Sequence, residues 1–389
     1  MGNPVIYLDH QATTPCDPAV VEAMAPLWSE QFANPASRIH RPGLLAAAAV
    51  ERAQAQLAAL LGVEPEAVLF TSGATEANNL ALKGLAEAEL LAGGRRRQLI
   101  TLATEHRAVL DPLRYLAGHG FSLTELPVAA DGLVDLQQLE AALSANTLVV
   151  SVMAANNEIG VLQPLAAIAA LCRQRGVRLH CDGAQAVGHL ALRPRELGID
   201  LISLSAHKFH GPKGIGALVI APGLRLAPQL HGGSQQGGLR AGTLPVPLIV
   251  GMARALELAE ADRPQRNARL KALRDRLWQG LEALGGIERN GAGEPRLAHN
   301  LNVTVLDVDG TALHQRLRQR LAVSSGSACS SGEPSHVLAA LGRSRQQAAA
   351  SIRFGLGRST TAGEIEQAIA AVAEARQQAR QQAQQQTLR

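Results

Sequence analysis

Short apolar runs alternate with longer segments of helical periodicity through the first part of the chain. Residues 68–71, 98–103, 122–126, 147–154, 177–181, 201–205 and 216–220 are brief and apolar, as strands covered on both faces are. Between them, 75–92 is rich in Ala, Leu and Glu, and 165–175 repeats apolar positions at helical spacing. This alternation predicts an α/β domain built on a mostly parallel sheet, with its site beyond the carboxyl ends of the strands. The pattern then changes. Residues 248–284 are helical with a break near Pro264, followed by strand-like 300–306, helix-like 312–321 and strand-like 351–356. An amphipathic helix from Ala362 fades into a Gln-rich end, expected to be solvated and frayed. The expected organisation is a large domain over 15–261 and a smaller α+β domain over 262–389 together with 1–14. The N-terminal dozen residues are able to pack on either one. No internal repeat is visible.

Composition narrows the classes. A chain of 389 residues that is 47% hydrophobic can bury the cores of two such domains. A mean hydropathy of +0.03 argues against a disordered chain. No long uninterrupted apolar run suggests a membrane span, and the N-terminus lacks the basic-then-apolar pattern of a signal peptide. The net charge of +4 invites a nucleic-acid reading, but aromatic residues for base stacking make up only 2% of the chain. The one tight basic cluster, Arg95 to Arg97, follows two glycines and reads as a solvated loop. No nucleic-acid partner and no membrane are expected. The chain has four lysines (Lys83, Lys208, Lys213, Lys271) and four cysteines (Cys16, Cys172, Cys181, Cys329), so a reactive amine or thiol has few candidates. No CxxC pair occurs, which favours free thiols in a reducing cytoplasm and argues against a metal site.

Three motifs carry candidate chemistry. In residues 70–79, FTSGATEANN, a strand runs into a helix start that could hold an anion or be an ordinary N-terminal cap. In residues 180–188, HCDGAQAVG, Asp182 and Gln185 follow an apolar strand, and Asp182 could cap a helix or hold a protonated ring nitrogen. In residues 204–214, LSAHKFHGPKG, Lys208 lies among Ser205, His207 and His210, where neighbouring cations favour a neutral nucleophilic amine. Lys83 and Lys271 fall on helix faces and Lys213 in a turn able to touch an anion, leaving Lys208 as the Schiff-base candidate. An anion cup, a ring-nitrogen carboxylate and an imine-forming lysine together describe a pyridoxal 5'-phosphate (PLP) site.

With these motifs in place, the chain resembles the cysteine desulfurases of the nitrogen-fixation and housekeeping iron–sulfur type, which are fold-type I PLP-dependent transferases. The resemblance runs from YLDHQATTP at 7–15 through NPAS at 34–37, TEHRAVL at 104–110, NNEIG at 156–160, LRAGT at 239–243 and SSGSAC at 324–329, to SIRFGLGR at 351–358. It implies that Lys208 carries PLP and moves protons on the substrate. It implies that His106 stacks on the ring and serves acid–base steps, rather than merely capping a helix. Asp182 would face the pyridinium nitrogen, Gln185 the phenolate oxygen, and Asn157 the same edge. Ala74, Thr75, Ser205 and His207 would contact the phosphate, with Thr243 reaching it from the second subunit of a homodimer. Arg353 would grip the carboxylate of L-cysteine, a task suited to a guanidinium fork. Asn34 would assist it, or simply form the turn before Pro35. Cys329 would be the nucleophile that becomes a persulfide, assisted by His106 as proton acceptor, and then passes sulfur to an iron–sulfur scaffold or thiol carrier. The other cysteines would be structural.

Two departures from the family pattern stand out. The stretch from Cys329 to the Glu-Pro-Ser at 333–335 is shorter than usual, and a shorter loop reaches less far. Ala206 replaces a glycine common before the His-Lys pair. Rival readings are a PLP lyase acting on another C–S substrate, which would not need Cys329, an aminotransferase, and an arginine-rich nucleic-acid-binding protein.

Overall fold

The computed structural model describes residues 5–325 and 335–387. The chain begins with β1 (Ile6–Tyr7) and then builds a large sheet from β2 (Val68–Thr71), β3 (Gln98–Leu102), β4 (Ser122–Leu126), β5 (Thr147–Ser151), β6 (Arg178–Asp182), β7 (Leu201–Ser205) and β8 (Gly216–Ile220). Its spatial order is β2-β8-β7-β6-β5-β3-β4. The β3, β4, β5, β6 and β7 pairings are parallel, but β8 runs antiparallel to both β2 and β7. The expected mostly parallel sheet is therefore mixed by one reversed strand. Residues of β2, β5 and β7 are buried throughout, which explains why these segments lack period-2 alternation.

The reversal of β8 matters for the site. It brings Gly216 opposite both Thr71 and Ser205, at the carboxyl ends of β2 and β7. A Cβ on Gly216 would lie 2.4 Å from the Leu204 carbonyl oxygen and 2.7 Å from Gly73 Cα. Only glycine lets these three backbone segments approach.

Helix Arg41–Leu61, which the apolar pattern did not single out, is long and apolar enough by composition to cross a membrane. It packs against helix Val246–Ala261, and both contribute buried residues to the main core. The expected helical break near Pro264 is a junction at Asp262, with Pro264 in the first turn of helix Arg263–Ala283.

A second core gathers Leu8, Leu270, Leu277, Val303, Ile352, Phe354, Ile365 and Val372. It covers an antiparallel sheet of β9 (Ile287–Arg289), β10 (Asn300–Val305) and β12 (Ser351–Gly355), in the order β12-β10-β9. β1 pairs in parallel with β11 (Leu321–Ala322), a pairing not legible in the sequence. The N-terminal segment touches both cores. Asp9 bridges to Gly355, while the Thr14 hydroxyl donates to the His207 carbonyl.

The Arg95–Arg97 cluster is less solvated than expected. Arg96 donates to the Gly176 carbonyl and Arg97 to those of Gly94 and Arg96, so two of the three guanidinium groups tie down loop backbone.

Candidate active site

At the carboxyl end of β2 the chain turns through Gly73 into helix Ala74–Leu91. Gly73 adopts φ 154° and offers no side-chain cap, so the first-turn N–H groups point out without a side-chain acceptor. The one first-turn carboxylate, Glu76, is held by Arg240 through two hydrogen bonds of 2.7 and 3.1 Å. Its charge is thereby neutralised beside a place suited to an anion. Ser205 and His207 approach the same point from the end of β7. The His207 ring contacts the Thr13 hydroxyl at 3.1 Å, and burial, with Lys208 and Lys213 nearby, pushes its pKa down to about 4.

Asp182 closes β6 and is buried. Asn78 Nδ2 donates to its Oδ2 at 2.8 Å, and the Ala184 N–H donates to its Oδ1 at 2.9 Å. The helix-cap reading of Asp182 finds no support, because no helix in the described residues starts there. Lys208 Nζ donates to the carbonyl oxygens of Gln11 at 2.6 Å and Ala12 at 3.0 Å. Gln185 Nε2 also donates to the Gln11 carbonyl. The N-terminal segment thus forms a wall of the site.

His106 is the N-cap of helix Arg107–Ala117, its Nδ1 accepting from the Ala108 N–H. The capping role and the place in the site coexist. With Nδ1 as acceptor, the neutral ring carries its proton on Nε2. Burial lowers the His106 pKa, Asp182 opposes that, and Lys208 and His336 add to it. In this state the ring donates rather than accepts a proton at Nε2, which argues against the expected role as a base for a thiol.

Arg353, on β12, is 2% exposed. It donates to Asp9 Oδ1 at 2.8 Å and to the Asn157 carbonyl at 2.9 Å, leaving its Nε without a partner among the described residues.

Ala74, Thr75, His106, Asn157, Asp182, Gln185, Ser205, His207, Lys208 and Arg353 all line one cavity of about 490 Å³, as does Lys213. Thr243 and Asn34 do not. Thr243 is exposed, and Asn34 Oδ1 accepts from the Ala36 N–H, making the local turn. Cys329 lies outside the described residues. The other cysteines are poor thiolates. Burial pushes Cys172 up to about 12 and raises Cys181 and Cys16. Gln11, Asn78, Glu158 and His336, to which the sequence reading gave no role, also line the cavity. Gln11, Asn78 and Glu158 sit inside the quoted motifs, whereas nothing local marks His336.

The class-V aminotransferase family model matches residues 6–368. A protein named cysteine desulfurase IscS from Dechloromonas aromatica is 48% identical over 368 residues, covering 94% of this chain and 90% of that protein. One of the same name from Tolumonas auensis is 49% identical over 370 residues, covering 94% and 91%. Among solved structures, a NifS-like protein superposes with a TM-score of 0.89 at 36% identity, covering 95% of this chain and 99% of its own. A structure described as SspA in complex with cysteine has a TM-score of 0.80 at 36% identity, covering 90% and 99%.

Proposed function

The chain belongs to the class-V aminotransferase family, and we propose that within it the protein is a cysteine desulfurase that takes sulfur from L-cysteine and releases L-alanine. The carrying observation is the convergence of Lys208 Nζ, the Asp182 carboxylate and the uncapped start of helix Ala74–Leu91 in one cavity.

These residues fit PLP. The cavity volume falls in the range of small-cofactor sites. The unfilled N–H groups of Ala74 and Thr75, with Ser205 and His207, suit a phosphate. Asp182, held by two N–H donors, suits a protonated ring nitrogen. The buried Asn157 Oδ1 has no partner among the described residues, as expected of an acceptor awaiting a ligand. Bound PLP supplies an electron sink that labilises bonds at the carbon carrying the substrate amine.

The chain's own residues do the rest. Arg353 receives the substrate carboxylate, its plane set by Asp9 and the Asn157 carbonyl. Lys208 Nζ, positioned by the Gln11 and Ala12 carbonyls, takes the Cα proton. His106 offers an Nε2–H donor to the site. The Cys329 thiolate attacks the substrate sulfur. A new S–S bond forms, the C–S bond breaks with its electrons left on the substrate carbon, and protonation there, with return of the Cα proton by Lys208, completes alanine. The persulfide on Cys329 then passes to a protein or thiol acceptor, as iron–sulfur or other sulfur-cofactor assembly requires.

A homodimer fits the surface. Trp28, Phe32 and Ile39 are exposed, the last two by 74% and 97%, and Thr243 sits away from its own cavity, free to serve a second copy. A cytoplasmic setting agrees with the free thiols.

The test is the product balance from L-cysteine. Wild-type protein forms alanine and persulfide together, and Cys329→Ala forms neither at an appreciable rate. Full turnover by that variant would sink the desulfurase reading in favour of a lyase.

A further inference from the structure

The cup that suits the phosphate and the carboxylate that suits the ring nitrogen come from segments far apart in the chain, yet one side chain joins them. Asn78 lies one turn into helix Ala74–Leu91, whose uncapped start forms the cup. It is fully buried, lines the cavity, and donates through Nδ2 to Asp182 Oδ2 at 2.8 Å. The amide orientation follows from its partner, since an ionised carboxylate accepts only.

A second carboxyl lies beside this pair. Glu105, also fully buried, sits close enough that Asp182 adds to the burial that raises its pKa. Burial and the neighbouring carboxylate both disfavour a charge on Glu105. Among the described residues Glu105 receives one backbone donor, from the Met153 N–H, and its Oε2 has no partner. Asp182 receives a donor on each oxygen, from Asn78 and from the Ala184 N–H. Asp182 is therefore the better held of the two carboxyls. Of its two donors, only Asn78 is a side chain, and it rides on the cup helix.

We propose that Asn78 is a positioning residue that fixes the Asp182 carboxylate relative to the phosphate cup, so that the ring-nitrogen contact and the phosphate contact are set by one helix. The proposal rests on the PLP reading of the site. It predicts that loss of the Nδ2 donor loosens cofactor retention through Asp182 and alters the bound cofactor's spectrum, without touching Lys208.

The experiment uses purified holoenzyme, with PLP as the probe. Wild-type, Asn78→Ala, Asp182→Asn and the double variant are compared for the PLP dissociation constant and for the pH dependence of the visible band. Asn78→Ala should weaken retention roughly tenfold, the scale of one hydrogen bond to a charged group. In the Asp182→Asn background the same change should have little further effect, because the two act as one unit. Asn78→Asp tests the idea with nearly unchanged shape. It should retain PLP poorly at neutral pH and recover on acidification, as the introduced carboxyl takes up a proton and can donate again. Equal losses from Asn78→Ala in both backgrounds, or wild-type retention and spectrum in Asn78→Asp, would overturn the proposal. Failure of the wild-type protein to bind PLP at all would overturn the cofactor reading itself, and this proposal with it.

Discussion

Arg353 and Asp9, 344 residues apart in sequence, meet in a 2.8 Å ion pair whose guanidinium is almost wholly enclosed. An Arg that is to bind a substrate carboxylate is costly to bury alone. Asp9 offsets that cost while the unpartnered Nε keeps a donor in reserve. The pair therefore separates two properties. Asp9→Ala leaves a buried charge uncompensated and should destabilise the fold by about 3 kcal/mol, read from urea unfolding.

Arg353→Lys should act on substrate instead. A lysine keeps the charge but cannot reproduce the fork to Asp9 and Asn157. KM for L-cysteine should rise roughly tenfold or more, while the visible spectrum of the bound cofactor is unchanged. An unchanged KM would remove Arg353 from the substrate site.

Lys208→Ala should abolish the visible absorbance that arises from a covalent PLP link and reduce turnover to background. Lys213→Ala, at the cavity edge, should keep both the colour and most of the turnover. Colour that survives in Lys208→Ala would assign the amine elsewhere.

Gly216→Ala should weaken PLP retention even though Gly216 needs no contact with the cofactor. The added Cβ collides with the Leu204 carbonyl and with Gly73, both of them backbone, so the cup itself must shift. Retention equal to wild type would show that the cup tolerates the displacement.

Acid should destabilise the protein through its buried histidines. His180 is enclosed between the Ser151 and Ser203 hydroxyls, and burial lowers its pKa from 6.5 to about 4. A histidine held neutral in the fold is protonated more readily once unfolded, so the unfolded chain binds more protons. Its stabilising contribution is complete above pH 6.5 and is lost as pH falls towards 4. The loss is on the order of 3 kcal/mol at the lower end. Unfolding midpoints measured across this range should fall, and His180→Gln should flatten the dependence. A steeper fall in that variant would contradict the assignment.

What could be read along the chain was whatever lies within a single turn of backbone. Lys208 with Ser205 and His207, and Asp182 with Gln185, are close in sequence because each group sits on the loop after one strand. Strand–loop chemistry of this kind leaves a local signature, and the apolar runs marked the strands themselves because both sheet faces are covered. Family-like motifs extended this to Arg353 and His106. The direction of β8 left no such trace, since a short buried strand reads the same either way round. Neither did the contacts of Asn78 with Asp182, Asp9 with Arg353, or Lys208 with the Gln11 carbonyl. Each joins segments from different elements, and a hydrogen bond between distant segments imposes no periodicity on either. The chemical inventory was therefore legible from residue types and spacing. Which charge is kept, which amine is held and which carboxylate is steadied were decided only when packing brought those segments together.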